Sequence, residues 1–439
     1  MILDKPTHIT LFGGTRTIGG TICRVQTASA ALVFDMGHVV RPSSPMFSGA
    51  LVPRSNADLR AIGFLPDIPE LYTNEHHADF AICISHNHLD HTALLPYMAN
   101  EISLFSTKDT CKILKLIADA HIEHQPSLEL IGVEPHAWQQ VGDLQFQFVP
   151  VDHDTPGAAA ILISAPDLRI VYSGDLRFHG WRPEVSRAFV DQARAFQPDV
   201  LLIEGTRAAD EARPQVSEQE LVRLLAEAMQ SEVRMVYFNA YPRHPERVLA
   251  FARVSREAHR VPVFDARTLY VAAHFAERLP EDVAVWAGEE LPEAVDRWLA
   301  TAGVRRIGPE DIREAPGAYA AELNYDRLWR LIDLGPQAGG LYIHSNGAPL
   351  GPFDPAWDNL QRWLAYFGVT FRSIGTSGHA ALDEIVQAVQ TIQPRVYLPI
   401  HSFYPERVIA PGVLRVLPEE GVAYTLSDLL AAGSLPEQS

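Results

Sequence analysis

The chain has 439 residues, 47% of them hydrophobic, and a formal net charge of −18. That length exceeds one ordinary core and calls for two domains, or one domain with a large insertion. The acidity argues against indiscriminate nucleic-acid binding, which rests on a basic surface. No apolar run reaches the ~18 residues of a membrane helix. The start, "MILDKPTHITLFGG", lacks the basic and apolar regions of a secretory signal, so a cytoplasmic protein is expected. Cys23, Cys83 and Cys111 fit neither a disulfide framework nor a zinc knuckle, and Cys83 reads as a small buried hydrophobe. Only four of the 36 basic residues are lysine, and arginine forks suit phosphate, although an Arg-favouring codon usage explains the bias as simply.

In chain order, "HITLFGG", "GGTICRVQT" and "AALVFDMG" read as strands punctuated by glycine. "FGGTRTIGG" is not GxGxxG and precedes no helical pattern, which excludes a dinucleotide loop there. Residues 39–78, rich in Pro and Ser, read as a long loop with one short helix near the mouth of a site. The stretch "ICISHNHLDHTALLP" follows. After it, "TKDTCKILKLIADAHIEHQ" has helical spacing, and "LQFQFVPVDHD", "AAAILISAP", "RIVYSGD" and "DVLLIEGT" are strands. Three of the four end in a polar residue able to do chemistry: His153, Asp175 and Glu204.

From 206 to about 375 the pattern changes to amphipathic helices, "SEQELVRLLAEAMQ", "HPERVLAFARVSREAH" and "TLYVAAHFAERL", between short strands "RMVYFNA" and "VPVFD". The chain then closes on "IGTSGHA", the helix "LDEIVQAVQTI" and "VYLPIHS". The expected organisation is therefore a first domain over 1–205, an inserted α/β domain over 206–375, and a return to the first domain over 376–439.

The chemistry concentrates at His86, His88, Asp90 and His91. Imidazoles and a carboxylate packed into one tight turn compete with one another unless something binds them, and zinc takes both donor types. Two ions ~3.5–4 Å apart activate water and stabilise both oxygens of a phosphoryl displacement. Further ligands are available at strand ends: His153, Asp175 and His401. The other histidines, including His76, His77, His121, His124, His136, His179, His244, His259 and His274, read as ordinary surface or satisfied side chains.

The motif "HNHLDH", with His153 and Asp175 downstream, resembles the metallo-β-lactamase fold. "LLIEGT", "TSGHA" and "LPIHS" then resemble, in order, three motifs of its β-CASP branch of nucleases, of the ribonuclease J kind, and the resemblance covers nearly the whole chain. It implies an αββα sandwich with an inserted α/β β-CASP domain. It also implies that His86, His88 and His153 hold one metal, that Asp90, His91 and His401 hold a second, and that Asp175 bridges them. Asp35 in "VFDMG" would orient the histidine turn through hydrogen bonds, and Glu204 would support the metal shell. His379 would contact the scissile phosphate or protonate the leaving oxygen. Ser377 and Gly378 would offer a hydroxyl and an N–H to phosphate. "HSNGAPLG", with Ser345 and Asn346, resembles a phosphate-gripping loop or is an ordinary turn. The cofactors implied are two Zn²⁺, with Mn²⁺ as the alternative.

The function expected is a metal-dependent phosphodiester hydrolase: a nuclease, endo or exo, that cleaves RNA or single-stranded DNA with a hydroxide activated by two metals. Asp90, Asp175, Glu204 and His379 would be its catalytic residues. The alternative is a hydrolase of the same fold acting on a small phosphodiester or other small substrate, which the negative charge favours. A scaffold with a dead site is disfavoured, because every ligand position is filled. The partner expected is a single strand of RNA or DNA, with no membrane; a homodimer is compatible with the chain. Little chain follows His401, so the assembly domain of ribonuclease J is not expected.

Overall fold

In the computed structural model, the residues described are 6–39, 46–47, 51–73, 79–123, 128–209, 216–232, 234–335 and 339–436. His76, His77 and His124 lie outside them, as does part of the loop predicted over 39–78. Two compact units are present: 1–112 with 125–214 and 378–439, and 113–124 with 215–377.

The first unit is a sandwich of two seven-stranded sheets. One sheet runs Ala423–Tyr424, His8–Gly13, Ile22–Gln26, Ala30–Phe34, Asp79–Cys83, Ser103–Thr107, Glu129–Val133. It is antiparallel up to Ala30–Phe34 and parallel from there on. The other runs Leu414–Arg415, Val396–Ile400, Val200–Glu204, Arg169–Tyr172, Ala159–Ser164, Leu144–Pro150, Gln139–Val141.

The apolar runs of the central strands have a direct cause: both faces are covered. In Ala30–Phe34, Leu32 and Phe34 enter the core between the sheets, while Val33 joins an outer cluster with Ile82, Leu59 and Leu71. In Val200–Glu204, Val200 and Leu202 point inward, and Leu201 and Ile203 pack outward with Phe189, Ile385 and Val389. Those three come from the helices Pro183–Phe196 and Leu382–Ile392. This is the αββα layering that the resemblance implies. Within the loop predicted over 39–78, the described part contains a short helix, Asn56–Ala61, and a 3-10 turn, Pro69–Tyr72.

The second unit is an α/β layer built on one parallel sheet. Its order is Arg305–Ile307, Ala284–Trp286, Val261–Phe264, Tyr319–Glu322, Val236–Phe238, Gly340–His344, Val369–Ser373, and every pairing is parallel. Apolar clusters line both faces of this sheet. The helical period read through "TLYVAAHFAERL" stops at Ala273, because the following N–H groups of His274 and Phe275 bond three residues back and tighten the end. No described helix is long and apolar enough to cross a membrane.

Candidate metal centre

Both sheets of the first unit deliver strand ends to one edge. Asp35 follows Ala30–Phe34, and His86 follows the parallel strand Asp79–Cys83, with Phe34 opposite Cys83. Asp175 follows Arg169–Tyr172, Glu204 ends the adjacent parallel strand, and His401 follows its neighbour, with Glu204 opposite Ile400. His153 follows Leu144–Pro150. The backbone is left-handed at Asp35 (φ 57°) and His401 (φ 53°). Non-glycine residues rarely adopt that conformation, and its cost is tolerated where surrounding bonds over-determine the site.

Residues 86–91 form a tight turn into the short helix Leu89–Thr92, with His88 at its N-cap. The His91 N–H bonds to the His88 carbonyl at 2.9 Å, and the Thr92 hydroxyl bonds to the same oxygen at 2.9 Å. Gly37 lies beneath: a Cβ there would stand 1.5 Å from the Asp90 carbonyl oxygen. Only a residue without a side chain lets the two segments pass this closely.

The predicted residues converge. Ligand-type atoms of His86, His88 and His153 lie within 4.8 Å of one another, as do those of Asp90, His91, Asp175 and His401. A third group joins Asp175 and His401 to Glu204 and His379. The individual distances have the scale of ligands around one ion. His153 Nε2 is 3.1 Å from His88 Nδ1, His91 Nε2 is 3.2 Å from His401 Nε2, and Asp175 Oδ2 is 3.1 Å from His91 Nε2. Two donors ~2.0–2.1 Å from a tetrahedral ion lie about 3.3 Å apart.

The outward nitrogens are held. His86 Nδ1 meets Ser85 Oγ at 3.0 Å, His91 Nδ1 meets Asp35 Oδ2 at 2.7 Å, His153 Nδ1 meets the Gly378 carbonyl at 2.6 Å, and His401 Nδ1 meets Thr206 Oγ1 at 2.8 Å. Such partners fix the tautomer and turn the second nitrogen inward. Asp35 also accepts from the Ser85 N–H at 2.8 Å, the Ser85 hydroxyl at 2.7 Å and the Tyr172 hydroxyl at 2.5 Å. Glu204 accepts from the Leu176 N–H at 2.8 Å and pairs with His379 Nδ1 at 3.0 Å.

The electrostatics suit a divalent cation. Burial, and next to it His91, hold the His86 imidazole well below its usual pKa, so it is neutral; burial likewise lowers His153. Neutral imidazole is the form that binds metal. Burial opposes ionisation of Asp175 and Asp90, but His91 and His401 outweigh it and keep both carboxylates below the usual range. Burial also opposes the charge on His91, which Asp175 and Asp35 override, raising it well above 6.5. Here imidazolium supplies the positive charge that a cation would bring to this cluster of carboxylates. The His86 Nε2 atom is buried, makes no hydrogen bond and faces Asp175 Oδ2 at 3.6 Å. Nitrogen and carboxylate donors, with one inward nitrogen unsatisfied, fit a divalent metal. The Gly19 N–H points at His401 Nε2 from 3.0 Å, a contact that competes with a cation for that lone pair.

Other predicted residues take different places. Gly378 turns its carbonyl to His153. In the second unit, the buried Ser345 hydroxyl accepts from Arg247 Nη1 at 2.8 Å and its N–H donates to Asn239 Oδ1 at 2.6 Å. Asn346 (φ 64°) accepts from the Thr376 N–H at 3.1 Å. Ser377 also belongs to that unit.

Sequence reasoning missed Tyr172 and Thr206, whose partners are distant in the chain, and Ser85, which joins its neighbour His86 to the distant Asp35. It also passed over Asp152 and Arg177. Arg177 is fully buried, donates its backbone N–H to the Asp152 carbonyl at 2.8 Å, and reaches the His153 carbonyl through Nη2 at 3.2 Å. The available signal was "VDHDT", where two aspartates flank His153.

Residues 69–238 match the family described as Beta-lactamase superfamily domain. The chain is 22% identical over 412 residues to ribonuclease J of Pyrococcus abyssi (strain GE5), covering 89% of this chain and 88% of that protein. It is 19% identical over 427 residues to ribonuclease J of Methanocaldococcus jannaschii, covering 90% and 91%. A solved protein of unknown function from Enterococcus faecalis V583 has the same fold, with a TM-score of 0.79 at 28% identity over 96% of this chain and all of that one. Its sandwich, its inserted parallel sheet, its edge of histidines and carboxylates and these matches give the chain a metallo-β-lactamase-type fold, and over most of its length it is similar to ribonuclease J.

Proposed function

We propose that this protein is a metal-dependent nuclease that hydrolyses phosphodiester bonds of RNA or single-stranded DNA. The observation that carries the reading is the pair of adjoining ligand groups, His86–His88–His153 and Asp90–His91–Asp175–His401, with Glu204 and His379 beside them. The likeness to two ribonucleases J over about nine tenths of the chain supports it.

The first group would hold one divalent ion and the second another, with Asp175 shared; zinc suits these donors and manganese is the alternative. Bound there, such ions bring water toward a pKa of ~7 and neutralise charge on the phosphoryl oxygens. The chain's own side chains do the rest. Asp35, Ser85, Thr206 and the Gly378 carbonyl hold the imidazoles in one orientation, so the site needs no rearrangement during reaction.

His379 would deliver the proton. Burial works against its charge, but Glu204 and Asp175 outweigh burial and raise its pKa to about 10. Its side chain is 20% exposed, and Nδ1 is engaged by Glu204, so transfer falls to Nε2. Hydrolysis adds water across the P–O bond: the water oxygen ends on phosphorus as hydroxyl, its displaced proton passes to solvent, the leaving oxygen takes the His379 proton, and solvent returns a proton to His379.

The test uses metal-replete protein on single strands of RNA and DNA of matched sequence, bearing a 5′-phosphate or 5′-hydroxyl and labelled at either end, with Asp90→Ala as control. Degradation by the wild type and none by the variant is the expected result. Two metals per chain with both strands left intact would hand the site to a small-substrate hydrolase instead.

A further inference from the structure

His88 differs from its neighbours in which nitrogen faces the centre. For His86, His91, His153 and His401, Nδ1 is bonded outward and Nε2 points in. For His88 the order is reversed: Nδ1 lies 3.1 Å from His153 Nε2, so Nδ1 is the inward atom and Nε2 turns away. Asp154 lies beside both rings: its Oδ1 is 3.5 Å from His88 Nε2 and 3.3 Å from His153 Nε2, contacts of ion-pair length. Its side chain is only 15% exposed.

The segment carrying Asp154 is fixed. The Asp152 N–H donates to Ser186 Oγ at 2.9 Å, and Asp152 Oδ2 accepts from the Arg182 N–H at 2.9 Å. Arg177 ties down the carbonyls of both Asp152 and His153, as above. On the other side Gly378 closes in: a Cβ there would meet Asp154 Oδ1 at 2.7 Å. A carboxylate this buried, on a segment this fixed, is not a solvated surface charge.

We propose that Asp154 is a positioning residue of the three-histidine site: its charge beside His88 favours the tautomer with the proton on Nε2 and the lone pair on Nδ1, and thereby sets the affinity of that site for its metal. The resemblance to β-CASP nucleases assigned no role to this position. The inference rests on the metal-centre reading above and deepens it. The physical basis is the carboxylate–histidine–metal arrangement, in which loss of the outer partner lowers metal affinity about 10–100-fold. Asp35 does the same for His91, through Nδ1 instead of Nε2.

The experiment measures metal content per chain, by elemental analysis after equilibration with Zn²⁺ and graded chelator, for wild type, Asp154→Asn, Asp154→Ala and His88→Ala. Thermal unfolding of the metal-free forms checks that each variant folds. The wild type is expected to hold two ions. Asp154→Ala is expected to lose one of them at about 10–100-fold lower chelator strength and keep the other unchanged, as His88→Ala does more severely. Asp154→Asn should lose less affinity than Asp154→Ala, because its amide dipole can still orient the His88 ring. Two variants as depleted as each other would mean that the carboxylate itself binds the ion, which overturns the positioning role. Two variants that bind like wild type overturn the inference and leave the metal-centre reading standing. A wild type that binds no metal sinks that reading directly.

Discussion

Asp35 accepts four hydrogen bonds from three residues on two segments, Ser85 and His91 on one and Tyr172 on the other. Asp35→Asn keeps the volume but places an amide where donors converge, so His91 loses its fixed tautomer. Metal affinity or turnover should fall about 10–100-fold, read by chelator competition and by initial rates. An Asn variant with unchanged affinity would show that His91 is oriented by packing alone. Glu204 makes a separate prediction. It is the foremost carboxylate holding His379 protonated, with a pKa near 10 against the effect of burial. A general acid works only while protonated, so activity is lost as pH rises through its pKa, and lowering that pKa moves the loss to lower pH. Glu204→Gln should therefore shift the alkaline limb of kcat downward. A limb that stays in place would remove His379 from proton delivery. These roles were partly legible in the sequence. Asp35, Glu204 and His379 stood in recognisable motifs, whereas Tyr172, Ser85 and Asp154 became visible only once the strands lay side by side.

The element that matters most is the turn 84–92, and its shape depends on a neighbouring segment. Asp35 N–H bonds to the Cys83 carbonyl at 2.9 Å, Met36 N–H to the His91 carbonyl at 2.7 Å, and Leu94 N–H to the Met36 carbonyl at 2.9 Å. This lacing leaves no space at Gly37. Gly37→Ala should push Asp90 and His91 off their positions, lower stability by about 1–3 kcal/mol as overpacking does, and reduce metal content. Urea unfolding with metal analysis on the same samples checks both. Normal metal binding in a destabilised variant would show that the turn tolerates the displacement. The strand and helix readings around this turn survived because periodicity there has a local cause: alternate residues face two different apolar clusters. The pairing order within each sheet has no such local record.

At the scale of the molecule, the first unit buries Asp35, Asp175 and Glu204 with six histidines around them. Bound cations would be part of what stabilises it. At free metal a thousandfold above Kd, one site contributes about 4 kcal/mol. Chelation should therefore lower the unfolding midpoint in calorimetry, and re-added Zn²⁺ should restore it. A midpoint indifferent to chelator would mean that imidazolium–carboxylate pairs suffice to hold the edge together.

The sequence by itself determined the fold class and singled out the histidines and carboxylates that gather at one edge. "HNHLDH", His153, Asp175 and His401 name side chains able to bind metal, and the structure brings them together. Doubly covered strands, likewise, must be written as apolar runs. The tertiary structure alone decided which nitrogen of each imidazole faces inward, which carboxylate each outward nitrogen meets, and why Gly37 must be glycine. Those outcomes depend on distances of about 3 Å between segments up to hundreds of residues apart, such as His91 and His401. Local spacing does not encode distances of that kind, because they are set by how the two sheets pack.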